Sequence, residues 1–223
     1  MDDLDLSAEI RLPDPDEPQL SRAERRDQQI NRILEAAKLC FVRSGFQGAS
    51  MQQICAEAGM SPGALYRYFR SKEAIIEAIS EADRADDAKL FAAILSNTNV
   101  VDGVVQGAMA HIRHMHETNS APLFAEICAE SMRNEAVAAA CAKNMDEVLD
   151  VFRDYLGSAV ARGEIDPLVD IGSLLNTMMS MVHGIAANDL PARGVPYEKI
   201  ELLVRSAVEA LLRPTPPTAT IDA

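Results

Sequence analysis

The sequence of 223 residues has no tryptophan, few other aromatic residues, only four cysteines and no long apolar run. A membrane-spanning helix needs about 20 predominantly apolar residues, and no segment approaches that length. At the N-terminus, no basic start followed by an apolar core indicates a signal peptide. We therefore expect a cytoplasmic protein without a membrane segment.

The cysteines and the missing motifs argue against several kinds of chemistry. Cys40, Cys55, Cys128 and Cys141 are far apart, and none forms a C-x-x-C pair. Three of them lie within helical apolar stripes, so we expect buried, reduced thiols. The sequence contains no G-x-S-x-G, P-loop or G-x-G-x-x-G motif, so we expect neither an enzyme nor a bound cofactor.

Charge is distributed unevenly along a chain whose net charge is −13. Residues 1–20 carry seven acidic residues and one arginine, whereas residues 21–80 carry nine basic and six acidic residues. The remaining 81–223 are strongly acidic, with eleven basic and twenty-one acidic residues. Such a charge distribution is typical of a small nucleic-acid-binding module on a larger acidic body.

The residues Ser50 to Phe69, SMQQICAEAGMSPGALYRYF, have the pattern of two short helices around a tight corner. Ser50 followed by Gln53 has the spacing of a capping box. Gly59 can end the first helix in a left-handed conformation. Ser61 can cap a second helix that begins with proline. Two helices joined in this way predict a helix-turn-helix unit, whose second helix reads the DNA major groove.

The flanking residues predict two further helices. Ile30, Ile33, Leu34, Ala37 and Phe41 recur at helical spacing over 21–44, and Gly45 is expected to close that helix. A fourth helix is predicted to start near 70–73, with Ser71 as its cap, and to continue through Leu95. The first twenty residues have too few apolar side chains to fold alone, and we expect a disordered acidic arm. This arm is either an uninvolved tail or a segment that competes with DNA phosphates and weakens non-specific binding.

The run from Ile30 to Ile79 resembles the N-terminal domain of the tetracycline-repressor (TetR) family of bacterial regulators. The resemblance rests on ILEAAKLCFVRSGFQGASMQQICAEAGMSPGALYRYFRSKEAI, some forty-five nearly unbroken residues. Ser50, Cys55 and Tyr68 replace commoner Thr, Ala and His of that family. The fold class expected is all-α, with about nine helices: a helix-turn-helix DNA-binding domain (21–80), a helical ligand-binding and dimerisation domain (81–213), and a disordered tail (214–223).

The C-terminal half has a helical pattern throughout. A helix is expected from Val104 to about Thr118, and another from Pro122 with Leu123, Ile127 and Met132 inward. A long helix is expected from about 134 to 161, ended by Gly163. Asp166 and Pro167 have the pattern of an N-cap and first position of the next helix, and Pro196 is expected to open the last helix.

An apolar seam at alternating three- and four-residue spacing runs along residues 168–185. In the family that the chain resembles, the last two long helices pair with those of a second subunit, although a single large core would also bury these residues. The resemblance therefore implies a homodimer, with candidate dimerisation residues Leu168, Ile171, Leu175, Met178, Val182, Ile185, Val204 and Leu211.

The N-terminal part of the second short helix is expected to face DNA bases. Arg67 is the candidate for a guanine contact, and Ala64 for a thymine methyl. The resemblance implies phosphate contacts by Tyr66 and Lys72, while Tyr68 either contacts phosphate or packs against Phe69. Arginines near the start of the first helix oppose its dipole, and reaching phosphates would explain them. The predicted DNA-binding residues are Arg22, Arg26, Ser50, Gln52, Ser61, Gly63, Ala64, Tyr66, Arg67, Tyr68 and Lys72.

The resemblance also implies a small-molecule pocket within the C-terminal helices. Methionine-rich surfaces suit variable apolar ligands. The candidate lining residues are His111, Met115, Phe124, Ile127, Cys128, Met132, Met145, Leu149, Phe152, Met178 and His183. His111, His114 and His116 form only a weak metal pattern, because His116 does not share a face with His111.

These features together predict a DNA-binding transcriptional regulator. We expect a repressor that binds a palindromic operator as a homodimer and is released by a small-molecule inducer. Metal sensing, or response to a protein partner, is the alternative for the C-terminal domain.

Overall fold

The computed structural model of the protein describes residues 21–82 and 99–216, and these ranges are mostly helical. The helices are α1 (Arg22–Gly48), α2 (Met51–Glu57), α3 (Pro62–Tyr68), α4 (72–82 within the described ranges), α5 (Val100–Glu117), α6 (Ala121–Ser131), α7 (Glu135–Ala161), α8 (Ile171–Ala186) and α9 (Tyr197–Leu212). A short 3₁₀ helix, Pro191–Arg193, precedes α9. The expected all-α class is confirmed.

The first helix begins and bends where the sequence indicates. Ser21 and Glu24 form a reciprocal capping box at its start. Gly45 has a φ of +70° and interrupts the helix, and one further turn follows as far as Gly48. A glycine adopts this left-handed conformation at little cost, so the chain turns at Gly45 before α2 begins.

A hydrophobic core holds the first four helices together. Ile33, Phe41, Ile54, Leu65 and Ile75 are each at most 1% exposed in this core. Full burial of such a side chain contributes about 1.5–3 kcal/mol. The core therefore fixes the short helices α2 and α3, which are too short to be stable in isolation.

The N-terminal core is not confined to the predicted DNA-binding domain. Leu123 of α6 and Val137 of α7 are buried in the same cluster. Helix α4 also continues across the predicted boundary between residues 80 and 81. The two halves of the chain are thus joined by shared packing.

A second core lies between α5, α7, α8 and α9. Ile112, Leu156, Leu174 and Val208 are each at most 1% exposed within it. α5 packs on α8 and α9, and α7 packs on α6 and α8. This packing leaves room for a cavity between the helices.

The predicted start of α8 at Asp166 and Pro167 is wrong. The helix begins at Ile171, and the Asp170 carboxylate caps it by accepting from the backbone N–H of Ser173 at 2.9 Å. The residues before it bind the end of α9 instead. The Asp166 N–H donates to the Leu212 carbonyl at 3.1 Å, and this tertiary pairing prevents an earlier helical turn.

The predicted frayed tail is also wrong at its first residues. Pro214 pairs with Ile165 in an isolated bridge, and the Thr215 N–H donates to the Glu164 carbonyl at 2.9 Å. The predictions for residues 1–20, 83–98 and 217–223, including the acidic arm and the continuation of α4, lie outside the described residues.

The buried residues of the apolar seam on α8 face the protein's own core, which corrects their assignment to a dimer interface. Leu175, Met178, Val182 and Val204 are buried within the single chain. Ile171, Ile185 and Leu211 pack against the same core, whereas Leu168 lies outside the helix and is 78% exposed. Heptad spacing predicted burial correctly, but a neighbouring helix of the same chain supplies the partner surface.

No helix within residues 21–82 and 99–216 is both long and apolar enough to pass through a lipid bilayer.

Candidate DNA interface and ligand cavity

The helix-turn-helix is built by two caps and one glycine turn. Ser50 and Gln53 form a capping box on α2, and the Ser61 hydroxyl accepts from the Ala64 N–H on α3. Between them, the Met60 N–H donates to the Cys55 carbonyl and the Gly59 N–H to the Ala56 carbonyl. These bonds form a Schellman motif with Gly59 at φ +58°.

Side chains of α3 alternate between the core and the exposed surface. Leu65 is fully buried and holds the helix, whereas Tyr66 is 50% exposed. Ser61, Gly63 and Arg67 are also exposed, and Ala64 is half-buried. A Cβ built on Gly63 would meet nothing within 4 Å. Internal packing therefore does not require glycine at this position.

A basic depression joins the start of α1 to α3. It has a volume of about 390 Å³ and is lined by Arg22, Arg25, Arg26 and Gln29 of α1 and by Arg67 and Tyr68 of α3. The α1 positions follow i, i+3, i+4 and i+7 spacing, which places them on one helix face. The predicted phosphate-contacting arginines thus lie beside the predicted base-contacting arginine. Arg25 and Gln29, absent from the predicted set, follow the same spacing.

Tyr68 and Lys72 both have internal contacts. Tyr68 packs against the N-terminal core, with the Arg67 guanidinium 5.4 Å from its ring centroid. The Lys72 ammonium donates to the carbonyls of Phe46 and Ala49 and lies 4.4 Å from the centre of the Phe46 ring. Lys72 therefore fixes the turn between α1 and α2, whatever further contact it makes.

Gln52 and Ser50 lie at the exposed start of α2. The Ser50 hydroxyl accepts from the Gln53 N–H at 3.2 Å, and the Gln53 side chain accepts in return from the Ser50 N–H at 2.7 Å. Ser50 is thus engaged in capping, while Gln52 is exposed on the outer surface.

A partly open cavity of about 360 Å³ lies between the C-terminal helices. Nine of the predicted lining residues border it, contributed by α5, α6, α7 and α8: His111, Met115, Phe124, Ile127, Cys128, Met145, Phe152, Met178 and His183. A further group of lining residues on the same helices was not predicted from the sequence. Helical spacing identifies these residues once the inner face of each helix is known. They are Val104, Gly107, Ala108, Leu123, Cys141, Val148, Leu175, Met179 and Val182.

Two predicted lining residues lie elsewhere. Met132 is the C-cap of α6 and is 88% exposed, because the helix ends before it can turn inward. Leu149 is 5% exposed but packs in the surrounding core and not on the cavity surface. The expectation that Met132 points inward is therefore wrong.

Planar side chains form one wall of the cavity. The rings of His111 and His183 have centroids 5.4 Å apart, and Phe124 lies 5.0 Å from His183. Burial lowers the pKa of His111 to about 4, with further lowering from the neighbouring His183 and His114. Burial likewise lowers the pKa of His183. Both imidazoles are consequently neutral at pH 7.

The cavity thiols are also uncharged. Burial raises the pKa of Cys128, and burial together with the neighbouring Cys128 raises that of Cys141. Within 21–82 and 99–216, no three His, Cys, Asp or Glu residues are grouped so that they could hold a metal ion. The described cavity thus has the character of an apolar binding site.

A polar network connects α6 to the end of α1. Glu126 accepts from the Phe46 N–H at 2.6 Å, and the fully buried Glu130 accepts from the Gln47 side chain at 2.7 Å. Arg133 donates to Glu130 at 2.7 Å. These carboxylates lie on a different side of α6 from Phe124, Ile127 and Cys128, so one helix touches both the cavity and the DNA-binding domain.

The helix-turn-helix, flanked by the exposed arginines at the start of α1, and the cavity between the C-terminal helices define the class of a DNA-binding transcriptional regulator. The family model for bacterial regulatory proteins of the tetR family matches residues 33–79. The HTH-type transcriptional regulator UidR of Escherichia coli is 32% identical over 168 residues, which span 75% of this chain and 84% of UidR. The chain therefore belongs to the tetR family, and the resemblance predicted above is confirmed.

Solved structures share the fold. Salmonella enterica GusR is 31% identical, with a TM-score of 0.75 over 83% of this chain and 96% of GusR. AibR, solved in complex with isovaleryl coenzyme A and operator DNA, is 22% identical and has a TM-score of 0.66 over 84% of this chain and all of AibR. At that identity, AibR supports the fold alone.

Proposed function

We propose that this regulator is a repressor that binds a palindromic operator as a homodimer and is released when a small molecule enters the cavity. The observation that carries the proposal is the double role of α6. Its Phe124 and Ile127 line the cavity, while Glu126 holds the Phe46 N–H at the end of α1. A ligand that displaces α6 would therefore disturb the base of the DNA-binding domain.

Surface chemistry supports DNA as the partner of the N-terminal domain. Arg67 lies on the exposed side of α3, next to the arginines at the start of α1. Gly63, with open space around it, permits the helix backbone to approach base edges. We infer that Arg67 contacts bases, whereas Arg22 and Arg26 contact phosphates.

A homodimer is required because one short recognition helix covers only a few base pairs. Two copies would place their recognition helices about one turn of DNA apart. Since the α8 seam is buried, we assign the interface to the outer faces of α8 and α9. Leu202 and Leu203 are 64% and 65% exposed on α9, and small or polar residues such as Asn176 and Ser180 line the outer face of α8.

In this proposal, the ligand releases the protein from DNA by shifting the equilibrium between two conformations of the regulator. AibR was solved with both a coenzyme A thioester and operator DNA, so a protein of this fold accommodates a ligand of that kind. In this chain, we expect the ligand to favour an arrangement of α6 in which the paired recognition helices no longer match both half-sites.

In vitro selection of bound DNA from a random pool tests the operator. We expect enrichment of an inverted repeat, followed by dissociation of the selected duplex when a compound that raises the melting temperature is added. Enrichment of a single half-site would contradict the dimer, and persistent binding in the presence of every stabilising compound would contradict induction.

A further inference from the structure

A nitrogen of an imidazole ring in the cavity wall is buried without a hydrogen-bond partner. Nε2 of His111 is inaccessible to solvent and has no partner among the described residues, and the ring borders the cavity. Buried polar atoms in folded proteins are almost always paired. An orphaned nitrogen at a cavity wall is therefore an attachment point for a polar atom that arrives with a ligand.

The surroundings of His111 favour a flat, apolar ligand. His183 and Phe124 continue the row of rings, and methionines such as Met115 and Met178 border the remaining space. Thioethers and aromatic rings attract one another, and aromatic rings prefer tilted or offset partners. A planar ring system would match this wall better than a flexible chain.

The cavity is poorly suited to a charged group. No Lys, Arg, Asp or Glu is among the lining residues in the described parts of the chain. The titratable groups facing His111 are His114 on its own helix, His183 on α8, Cys128 on α6 and Cys141 on α7. The two thiols and the two buried imidazoles are neutral at pH 7, so they offer no counter-charge to an anion.

We infer that the cavity binds a small, uncharged, planar molecule whose single hydroxyl or carbonyl group pairs with Nε2 of His111. A neutral imidazole has one donor and one acceptor nitrogen, so either group finds a complementary tautomer. This inference rests on the proposed function, because it names the ligand class of the same regulatory site.

The cavity volume sets the size of the ligand. An apolar cavity of about 150 Å³ holds benzene, so the 360 Å³ cavity has room for a two-ring molecule. Three probes of nearly equal shape test the inference: naphthalene, 2-naphthol and 2-naphthoate. They differ only in having no polar group, a neutral hydroxyl or a carboxylate.

Binding of the three probes to the full chain is measured by fluorescence titration and thermal shift at pH 7.5. We expect 2-naphthol to bind roughly three- to tenfold more tightly than naphthalene, which is the usual worth of one hydrogen bond. We expect 2-naphthoate to bind more weakly than both, because its charge would lose water without gaining a counter-ion.

Variants at two histidines assign the contact. His111→Phe keeps a ring but loses the hydrogen bond, so naphthol should lose its advantage over naphthalene while naphthalene still binds. His111→Gln should retain part of that advantage. His114→Phe is the matched control, since His114 borders the same cavity from an exposed position, and it should leave the ratio unchanged.

The outcomes separate this inference from the proposed function. Tighter binding of 2-naphthoate than of 2-naphthol, equal ratios in wild type and His111→Phe, or no binding of any probe would overturn the inference. If operator DNA still binds and an anionic compound releases it, the proposed function stands and the ligand class assigned to His111 is wrong.

Discussion

The carboxylate of Glu126 accepts a 2.6 Å hydrogen bond from the backbone N–H of Phe46. This bond joins α6 to the turn made by Gly45, and a Cβ at Gly45 would lie 3.2 Å from the same carboxylate oxygen. The contact depends on the left-handed conformation and small size of residue 45. It links α6, which borders the cavity, directly to the DNA-binding domain.

Replacing Glu126 with alanine should weaken this link. Loss of a charged hydrogen-bond acceptor opposite a partly buried N–H costs about 1–3 kcal/mol. Urea unfolding of Glu126→Ala measures the loss, with Glu117→Ala, an exposed acidic residue in the last turn of α5, as control. Equal stability of Glu126→Ala and wild type would show that the bond contributes nothing.

Arg67→Ala should relax the sequence preference of DNA binding. A bidentate arginine–guanine contact is worth about 1–3 kcal/mol of discrimination, so operator affinity should fall by more than affinity for scrambled DNA. Fluorescence anisotropy on both duplexes measures the ratio. Arg26→Ala provides the comparison, because a phosphate contact should weaken both duplexes alike and reduce the salt slope.

Lys72→Ala should weaken all DNA sequences about equally, flatten the salt slope and also destabilise the fold. The ammonium donates to two carbonyls at the α1–α2 turn and contacts the Phe46 ring. Removing it leaves both carbonyls without this donor, at a cost of about 1–3 kcal/mol. Thermal unfolding is the measurement. Unchanged stability with weaker DNA binding would assign Lys72 to phosphate contact alone.

Stability should fall as the pH decreases through the titration of His111. Burial lowers its pKa from 6.5 to about 4, so the unfolded chain binds the proton first. The contribution of neutral His111 to the free energy of unfolding is complete above pH 6.5 and is lost progressively down to pH 4. At 1.36 kcal/mol per unit of pKa difference, the total loss is up to about 3 kcal/mol.

The difference in unfolding free energy between wild type and His111→Phe, measured from pH 7 to pH 4, isolates this effect from other titrating groups. We expect a flatter profile for His111→Phe, whereas His114→Phe should keep the wild-type slope. Parallel profiles for wild type and His111→Phe would show that His111 is not buried in its neutral form.

Leu203→Arg should disrupt the proposed homodimer. Leu203 is 65% exposed within one chain, and a charge introduced at a buried interface is costly. Light scattering after gel filtration should show a monomer with an intact helical spectrum. Leu39→Arg, at a position 57% exposed on α1, should leave the dimer intact, and a dimeric Leu203→Arg variant would place the interface elsewhere.

Short-range signals predicted the DNA-binding domain well. Ser50 with Gln53, Gly59, and Ser61 with Pro62 act through hydrogen bonds and dihedral angles within a few residues, so they can be recognised without knowing the fold. Likewise, the helical spacing of the apolar residues identified the inner face of α1.

Long-range contacts explain the failures. Pro167 has the pattern of a helix start, but Asp166 beside it pairs with the end of α9, so α8 begins later. The seam through Leu175 and Val182 indicates burial without indicating the partner. Met132 has the spacing of an inner residue but follows the end of α6.

The amino-acid order alone was enough to specify most of the helices and the caps of the DNA-reading corner, because those depend on neighbours along the chain. The tertiary packing of the helices decided which apolar faces meet inside one subunit and which nitrogen of His111 is buried without a partner. It also decided that Glu126 reaches Phe46. These relationships join residues far apart in sequence, and only packing brings them within hydrogen-bonding distance.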